Sequence, residues 1–157
     1  MRIRPGDVTS AEVRDLLGTY FAFRSQSFPE PDREYAVRFP DPADFTGTEG
    51  VFLVVEDDAG TVVGSGGIRL LPAPEGGGVR YEVKNVWLNP STRGRGWATD
   101  LLNELESRAR AFGATELVLD THHTLEAAGR LYARLGFEPI PPYNDNANAT
   151  RWYRKPL

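Results

Sequence analysis

Residues 85 to 98 read Asn-Val-Trp-Leu-Asn-Pro-Ser-Thr-Arg-Gly-Arg-Gly-Trp-Ala, and no other stretch restricts the fold so tightly. An apolar strand runs into a short turn with two arginines and two glycines, and an amphipathic helix follows. A helix N-terminus presents backbone N–H groups without intrahelical acceptors, and the macrodipole adds about half a positive charge there. The glycines let the main chain curl around a ligand, and the arginines add charge. The segment predicts a cradle for phosphate oxygens.

Such a ligand must be held by local charge, because 18 Lys and Arg stand against 22 Asp and Glu, a net charge of -4. The same balance argues against a general nucleic-acid binder. The absence of cysteine excludes disulfides, a thiolate nucleophile and cysteine-ligated zinc. A chain of 157 residues with 40% hydrophobic content predicts a single domain over residues 1–157. No apolar run approaches the roughly 18 residues of a membrane span, and Met1 to Asp7 lacks the apolar core of a signal peptide. A cytoplasmic protein without a membrane partner is expected.

Along the chain, a short strand near Met1 to Arg4 precedes a helix. Thr9 and Glu12 have capping-box spacing, and Val8 and Val13 have that of a hydrophobic staple. Val13, Leu16, Leu17, Tyr20 and Phe21 then recur at helical intervals. From Ser27 to Gly47, Pro29, Pro31, Pro40 and Pro42 predict a loop-rich connection, with at most a short turn near Asp32 to Arg38. A hairpin follows: Val51 to Glu56, a turn at Asp57 to Gly60, and a strand resuming at Thr61 and reaching Leu71. The glycine-rich loop Pro72 to Gly78 is expected to be mobile. A strand from Val79 to Leu88 leads into the arginine turn. The next helix carries Leu101, Leu102, Leu105, Ala109 and Phe112 on one face, with Glu104–Arg108 and Glu106–Arg110 outside and Gly113 as its stop. Glu116 to Asp120 reads as a central strand, Leu125 to Leu135 as a second long helix, and Phe137–Ile140 and Thr150–Lys155 as final strands. Antiparallel strands followed by strand–helix–strand–helix–strand define a mixed α+β sheet.

Three phosphate-binding patterns compete for the turn. No Gly-x-x-x-x-Gly-Lys-Ser/Thr run exists. A dinucleotide fingerprint fails at Thr99, where its third glycine would stand. What remains is Arg93-Gly94-Arg95-Gly96-Trp97-Ala98, which resembles the Gln/Arg-x-x-Gly-x-Gly/Ala motif of the GCN5-related N-acetyltransferase superfamily. A second match lies downstream, where Ala128 to Phe137 resembles that family's Ala-x-x-Leu-Tyr-x-x-x-Gly-Phe helix and strand. The resemblance covers about Val51 to the C-terminus.

The resemblance implies a three-layer α/β/α arrangement with about four helices. The sheet would be mainly antiparallel, with a splayed central parallel strand pair. It implies acetyl-CoA or another acyl-CoA as acyl donor, its pyrophosphate on the backbone of Arg93, Gly94, Arg95, Gly96, Trp97 and Ala98. Its pantetheine arm would bond to the strand Val86, Trp87 and Leu88. It implies an N-acyltransferase acting by direct transfer to a primary amine, on a small molecule or a peptide. The rival reading is a CoA-binding sensor or scaffold without catalysis, and a homodimer is left open.

Two side chains carry the expected chemistry. An alkyl amine with a pKa near 10.4 lies about 3.4 units above neutral pH, so freeing it costs roughly 4.6 kcal/mol, and only the free amine attacks a thioester. The family places a base on the central strand, and Glu82 is the matching candidate. Arg80, Glu82 and Lys84 put charge on one face of a strand that should be apolar, unless that end protrudes into solvent. Asn85 then breaks the alternation as a β-bulge would. Tyr132 matches the family tyrosine that protonates the departing thiolate, against the alternative of a core aromatic. Leu125 stands where many relatives have asparagine, with His122, His123 or Thr124 as substitutes. The histidine pair is not a metal signature, since neighbouring strand side chains point to opposite faces. The acidic balance and Glu82 favour a cationic amine, held among the first helix, the Ser27 to Gly47 loop, Glu82 and the Tyr143 to Asn148 loop.

Overall fold

A computed structural model describes residues 1–28 and 33–157. Seven strands, β1 (Arg2–Pro5), β2 (Gly50–Glu56), β3 (Val62–Leu71), β4 (Arg80–Leu88), β5 (Glu116–Thr121), β6 (Glu138–Ile140) and β7 (Arg151–Pro156), form one sheet in the order β1-β2-β3-β4-β5-β7-β6. Every neighbouring pair is antiparallel except β4 and β5, which run parallel at its centre. The described residues hold three α-helices, α1 (Ala11–Gln26), α2 (Trp97–Ala111) and α3 (Glu126–Arg134), rather than about four. Pro42–Phe45 and Pro90–Thr92 are short 3-10 turns, each opening on a proline whose missing N–H costs nothing at that position. None of the described helices is long and apolar enough to cross a membrane.

Alternation along β2 splits its side chains between two layers. Phe52 and Val54 pack with Val13, Leu17 and Phe21 of α1, whereas Leu53 and Val55 join the larger cluster under α2 with Leu101, Leu102, Leu105 and Ala109. The sheet is thus covered on both faces, which is why β2 reads as an unbroken apolar run. Tyr132 and Phe137 bring α3 and its following turn into the α2 layer. The predicted pairs Glu104–Arg108 and Glu106–Arg110 form on α2, and Gly113 takes the left-handed conformation just beyond it.

The start of α1 differs from the capping-box expectation. Ser10 is the N-cap, its Oγ accepting from the Val13 amide at 3.3 Å. Thr9 is drawn off because its amide and hydroxyl both donate to Asp7 Oδ1, at 2.8 and 2.7 Å. Of the turn expected at Asp32 to Arg38, Asp32 lies outside the described residues, and Arg33 to Arg38 is not helical.

Candidate active site

The parallel pair β4–β5 holds register for only three residue pairs, Arg80↔Glu116, Tyr81↔Leu117 and Glu82↔Val118. Beyond Glu82 the strands diverge, and backbone groups along this edge of β4 are left without β5 partners. A bulge adds to the divergence. The β3–β4 register shifts between Ser65↔Trp87 and Gly67↔Lys84, Asn85 takes φ +54°, and the Ser65 hydroxyl donates to the Asn85 carbonyl. Asn85 is where the alternation breaks in the sequence as well.

The opening between the strands leads into a cavity of about 1010 Å³. Val86, Trp87 and Leu88 of β4 form its floor, Arg93 and Ala98 stand at one end, and Leu125, Ala128, Leu131 and Tyr132 form the α3 wall. The remaining wall comes from α1, from Tyr35 to Asp41, and from Asn144 to Asn148. Asn148 ties the last two together, its side-chain amide pairing with both backbone groups of Ala36 at 2.8 and 3.0 Å.

The turn before α2 is built to leave its amides free. Gly94 and Gly96 have φ of +77° and +78°, a conformation costly for residues with a Cβ. A Cβ at either would meet nothing within 4 Å, so backbone conformation and not crowding within the chain requires glycine. Gly96 caps α2 with no side-chain bond. Among the described residues, no acceptor pairs with the amides of Gly94, Arg95, Gly96, Trp97 or Ala98. Arg93 reaches the cavity, but the Arg95 guanidinium sits 5.0 Å over the Trp97 ring and does not line it. Trp97 itself is buried packing, and Trp87 packs against Tyr20 and Phe23.

Glu82 does not protrude into solvent, because the Tyr143 to Asn148 loop closes over that face. Its side chain is about 1% exposed. Arg69 Nε donates to Oε2 at 2.8 Å, Tyr143 O–H to Oε1 at 2.9 Å, and Lys84 Nζ lies 3.4 Å from Oε1. Burial, then Glu82 and Asp120, push the Tyr143 phenol far above its usual range, so it stays a neutral donor. Glu82 is therefore one shell removed from the large cavity. Of the two carboxylates on the β4–β5 pair beside the opening, Asp120, at the open end of β5, lines the cavity and Glu82 does not. Asn144 Nδ2 donates to its Oδ2 at 2.7 Å, and Lys84 Nζ lies 3.3 Å away. Lys84 and Asn144 each contact both carboxylates.

Tyr132 lies across the opening. Burial, with Asp120 adding to it, pushes its phenol up to about 12. Its ring is a core aromatic packed on Phe137 and Tyr153, but its hydroxyl has no hydrogen-bond partner among the described residues. Leu125 is the uncapped start of α3. Of its suggested substitutes, Thr124 lines the cavity with its hydroxyl 2.8 Å from His122 Nδ1, whereas His123 is held by Thr150. The two histidine rings stack at 4.5 Å instead of facing apart, because β5 ends at Thr121 and the chain turns there.

Sequence reasoning placed neither Asp120 nor Arg24 among the residues of the transfer site. Asp120 stands at the carboxyl end of a parallel strand, where open sheets place ligands. Arg24 falls on the inward stripe of α1, three residues beyond Phe21, where an apolar residue is expected.

The sheet order, the splayed parallel pair and the uncapped glycine turn together define an acyltransferase-like α/β/α fold. The acetyltransferase (GNAT) family profile matches residues 11–137, and the chain belongs to that family. It is 34% identical over 97 residues to an uncharacterized N-acetyltransferase of Schizosaccharomyces pombe, an alignment covering 62% of this chain and 57% of that protein. It is 35% identical over 102 residues to an IAA acetyltransferase of Azospirillum brasilense, covering 63% of each. The chain thus spans less than two thirds of the length of these curated relatives. Among solved structures, a candidate acyl-CoA N-acyltransferase of Klebsiella pneumoniae superposes with TM-score 0.74 at 27% identity, covering 99% of this chain and 97% of that one. A phosphinothricin acetyltransferase of Sinorhizobium meliloti, solved in complex with AcCoA, gives 0.68 at 20% identity, covering 99% and 88%. That last likeness speaks to the fold.

Proposed function

We propose that this protein transfers an acyl group, acetyl in the simplest case, from acyl-CoA directly to a primary amine. The observation that carries this reading is the run of five amides from Gly94 to Ala98, unpaired among the described residues, beside the opening of β4 from β5. The amides and Arg93 suit the pyrophosphate, and the unpaired edge at Val86, Trp87 and Leu88 suits the amide groups of the pantetheine arm. A backbone N–H near Val86 or Trp87 stabilises the oxyanion as the amine adds to the thioester carbonyl.

The C–N bond forms as the amine's proton passes to a carboxylate, and then the C–S bond breaks. Glu82 and Asp120 form one proton-accepting unit joined through Lys84 and Asn144. Asp120 faces the amine, and Glu82 holds the network in place. Tyr132 keeps its proton across the neutral range. Complete transfer from a phenol near 12 to a thiolate near 8.5 is uphill by about 3.5 units, roughly 5 kcal/mol. Its role is a hydrogen bond to the departing sulfur.

The test is calorimetric binding of acetyl-CoA together with a thiol-dye screen of primary amines. Binding at the micromolar level or tighter, with thiol release for at least one amine, is expected. Binding without thiol release for any amine would favour a CoA sensor. Absence of CoA binding would overturn the reading.

A further inference from the structure

Among the described residues, Glu82, Glu116 and Arg24 are charged residues buried as a whole. Glu82 is paired with Arg69 and Lys84, and Glu116 with Arg80 and Arg154. Arg24 differs. It is 6% exposed, yet it makes no hydrogen bond or ion pair with any described residue. Its guanidinium carbon stacks 5.2 Å from the Tyr35 ring, and the residue lines the large cavity. Its charge is near enough to act on the hydroxyls of both Tyr20 and Tyr132.

A desolvated cation without a counter-ion destabilises a fold, and the carbonyl end of α1 offsets this only in part. Stacking on Tyr35 fixes the plane of the guanidinium and leaves its fork free for a planar, bidentate anion. Asp41, Asp44, Asp120, Glu126 and Asp145 also line this cavity, but among the described residues none forms an ion pair with the guanidinium. Asp120 is already bonded by Lys84 and Asn144. The proposed pyrophosphate site is built on a different element, the turn before α2, where Arg93 and Ala98 line the cavity.

We infer that Arg24 binds a carboxylate of the acceptor, so that the amine substrate is an amino-acid-like molecule with its ammonium toward Asp120 and its carboxylate on Arg24. This deepens the proposed transfer reaction and rests on it. It also reverses the expectation of a purely cationic amine, because the overall charge of -4 says little about a buried pocket. Tyr20, Phe21, Phe23 and Tyr35 around the guanidinium suit an apolar or aromatic side chain on the substrate.

The experiment compares matched acceptors, each amino acid against its own carboxamide (phenylalanine, methionine and tryptophan), in the wild type, Arg24→Met and Arg24→Lys. Thiol release gives kcat/KM, thermal unfolding with each acceptor reads binding without turnover, and calorimetry reads acetyl-CoA affinity. The wild type is expected to prefer the carboxylates at least about tenfold, roughly the value of one charge-assisted pair. Arg24→Met should abolish that preference, keep acetyl-CoA affinity and melt no lower than the wild type, since it removes an uncompensated buried charge. Arg24→Lys should restore part of the preference. A wild type that favours carboxamides, or an Arg24→Met variant that loses both series equally, overturns the inference. So does the lack of any carboxylate-dependent turnover or melting shift in a protein that binds acetyl-CoA. Failure to bind acetyl-CoA at all would instead overturn the transfer reaction itself.

Discussion

The two ends of the β4–β5 pair use similar residues for opposite purposes. At the paired end, Arg80, Glu116 and Arg154 close on one another across three strands, with the Glu116 side chain 4% exposed. At the open end, Lys84, Asp120 and Arg24 line a cavity, and the cation on α1 has no counter-ion among the described residues. Where strands remain in register, charges neutralise each other and stabilise the sheet. Where the strands part, charge and backbone polarity are left for a ligand. Three residue pairs separate these regimes.

The largest effect should come from the open end. Asp120→Asn is expected to lower turnover about 10²–10³-fold, in the range of a lost proton acceptor, while calorimetry finds acetyl-CoA affinity nearly unchanged. Glu82→Gln should cost less than Asp120→Asn, because it acts by position, and a larger loss for Glu82→Gln would reverse the two roles.

The paired end should answer in stability instead. Glu116→Ala is expected to destabilise the fold by about 3 kcal/mol in urea unfolding, since two arginines lose their buried partner. Burial by itself would raise the Glu116 pKa, but bonds from Arg154 and Arg80 outweigh it and hold the carboxyl below its ordinary 4.5. A depressed carboxyl contributes stability above its unfolded pKa and loses it as pH falls through the folded value. The wild type should therefore lose this contribution below about pH 4.5, and the variant's acid limb should be flatter there.

Smaller effects sharpen the contrast. Tyr132→Phe should slow transfer about tenfold, the value of one hydrogen bond to the leaving sulfur, with no fall in melting temperature because the hydroxyl bonds to no described residue. Gly96→Ala should cost about 1 kcal/mol of stability through its left-handed backbone, and weaken acetyl-CoA binding by disturbing the cradle. A stability loss without an affinity loss would separate the turn from the ligand.

Much of this was legible residue by residue. The strand–turn–helix at Asn85 to Ala98, the apolar stripe of α2 and the break at Asn85 are local patterns, set by periodicity, glycine conformation and helix-end polarity. Glu82 was legible as an anomaly, a charge in a strand that should be apolar, but not its burial. That burial depends on Tyr143 and Asn144, about 60 residues onward, and no local pattern ties them to β4. The start of α1 was misplaced by one residue because Asp7 competes for Thr9, a contact that spacing alone does not weigh.

The sequence by itself determined a mixed α+β fold with a glycine turn that opens a helix, because both follow from short-range periodicity and backbone chemistry. Only the tertiary structure decided which carboxylate faces the cavity and which is walled off from it. It also left Arg24 as a buried cation, stacked on Tyr35 and without an ion-pair partner among the described residues. Both outcomes depend on where β4 and β5 stop pairing and on what packs across the gap, and long-range geometry sets these.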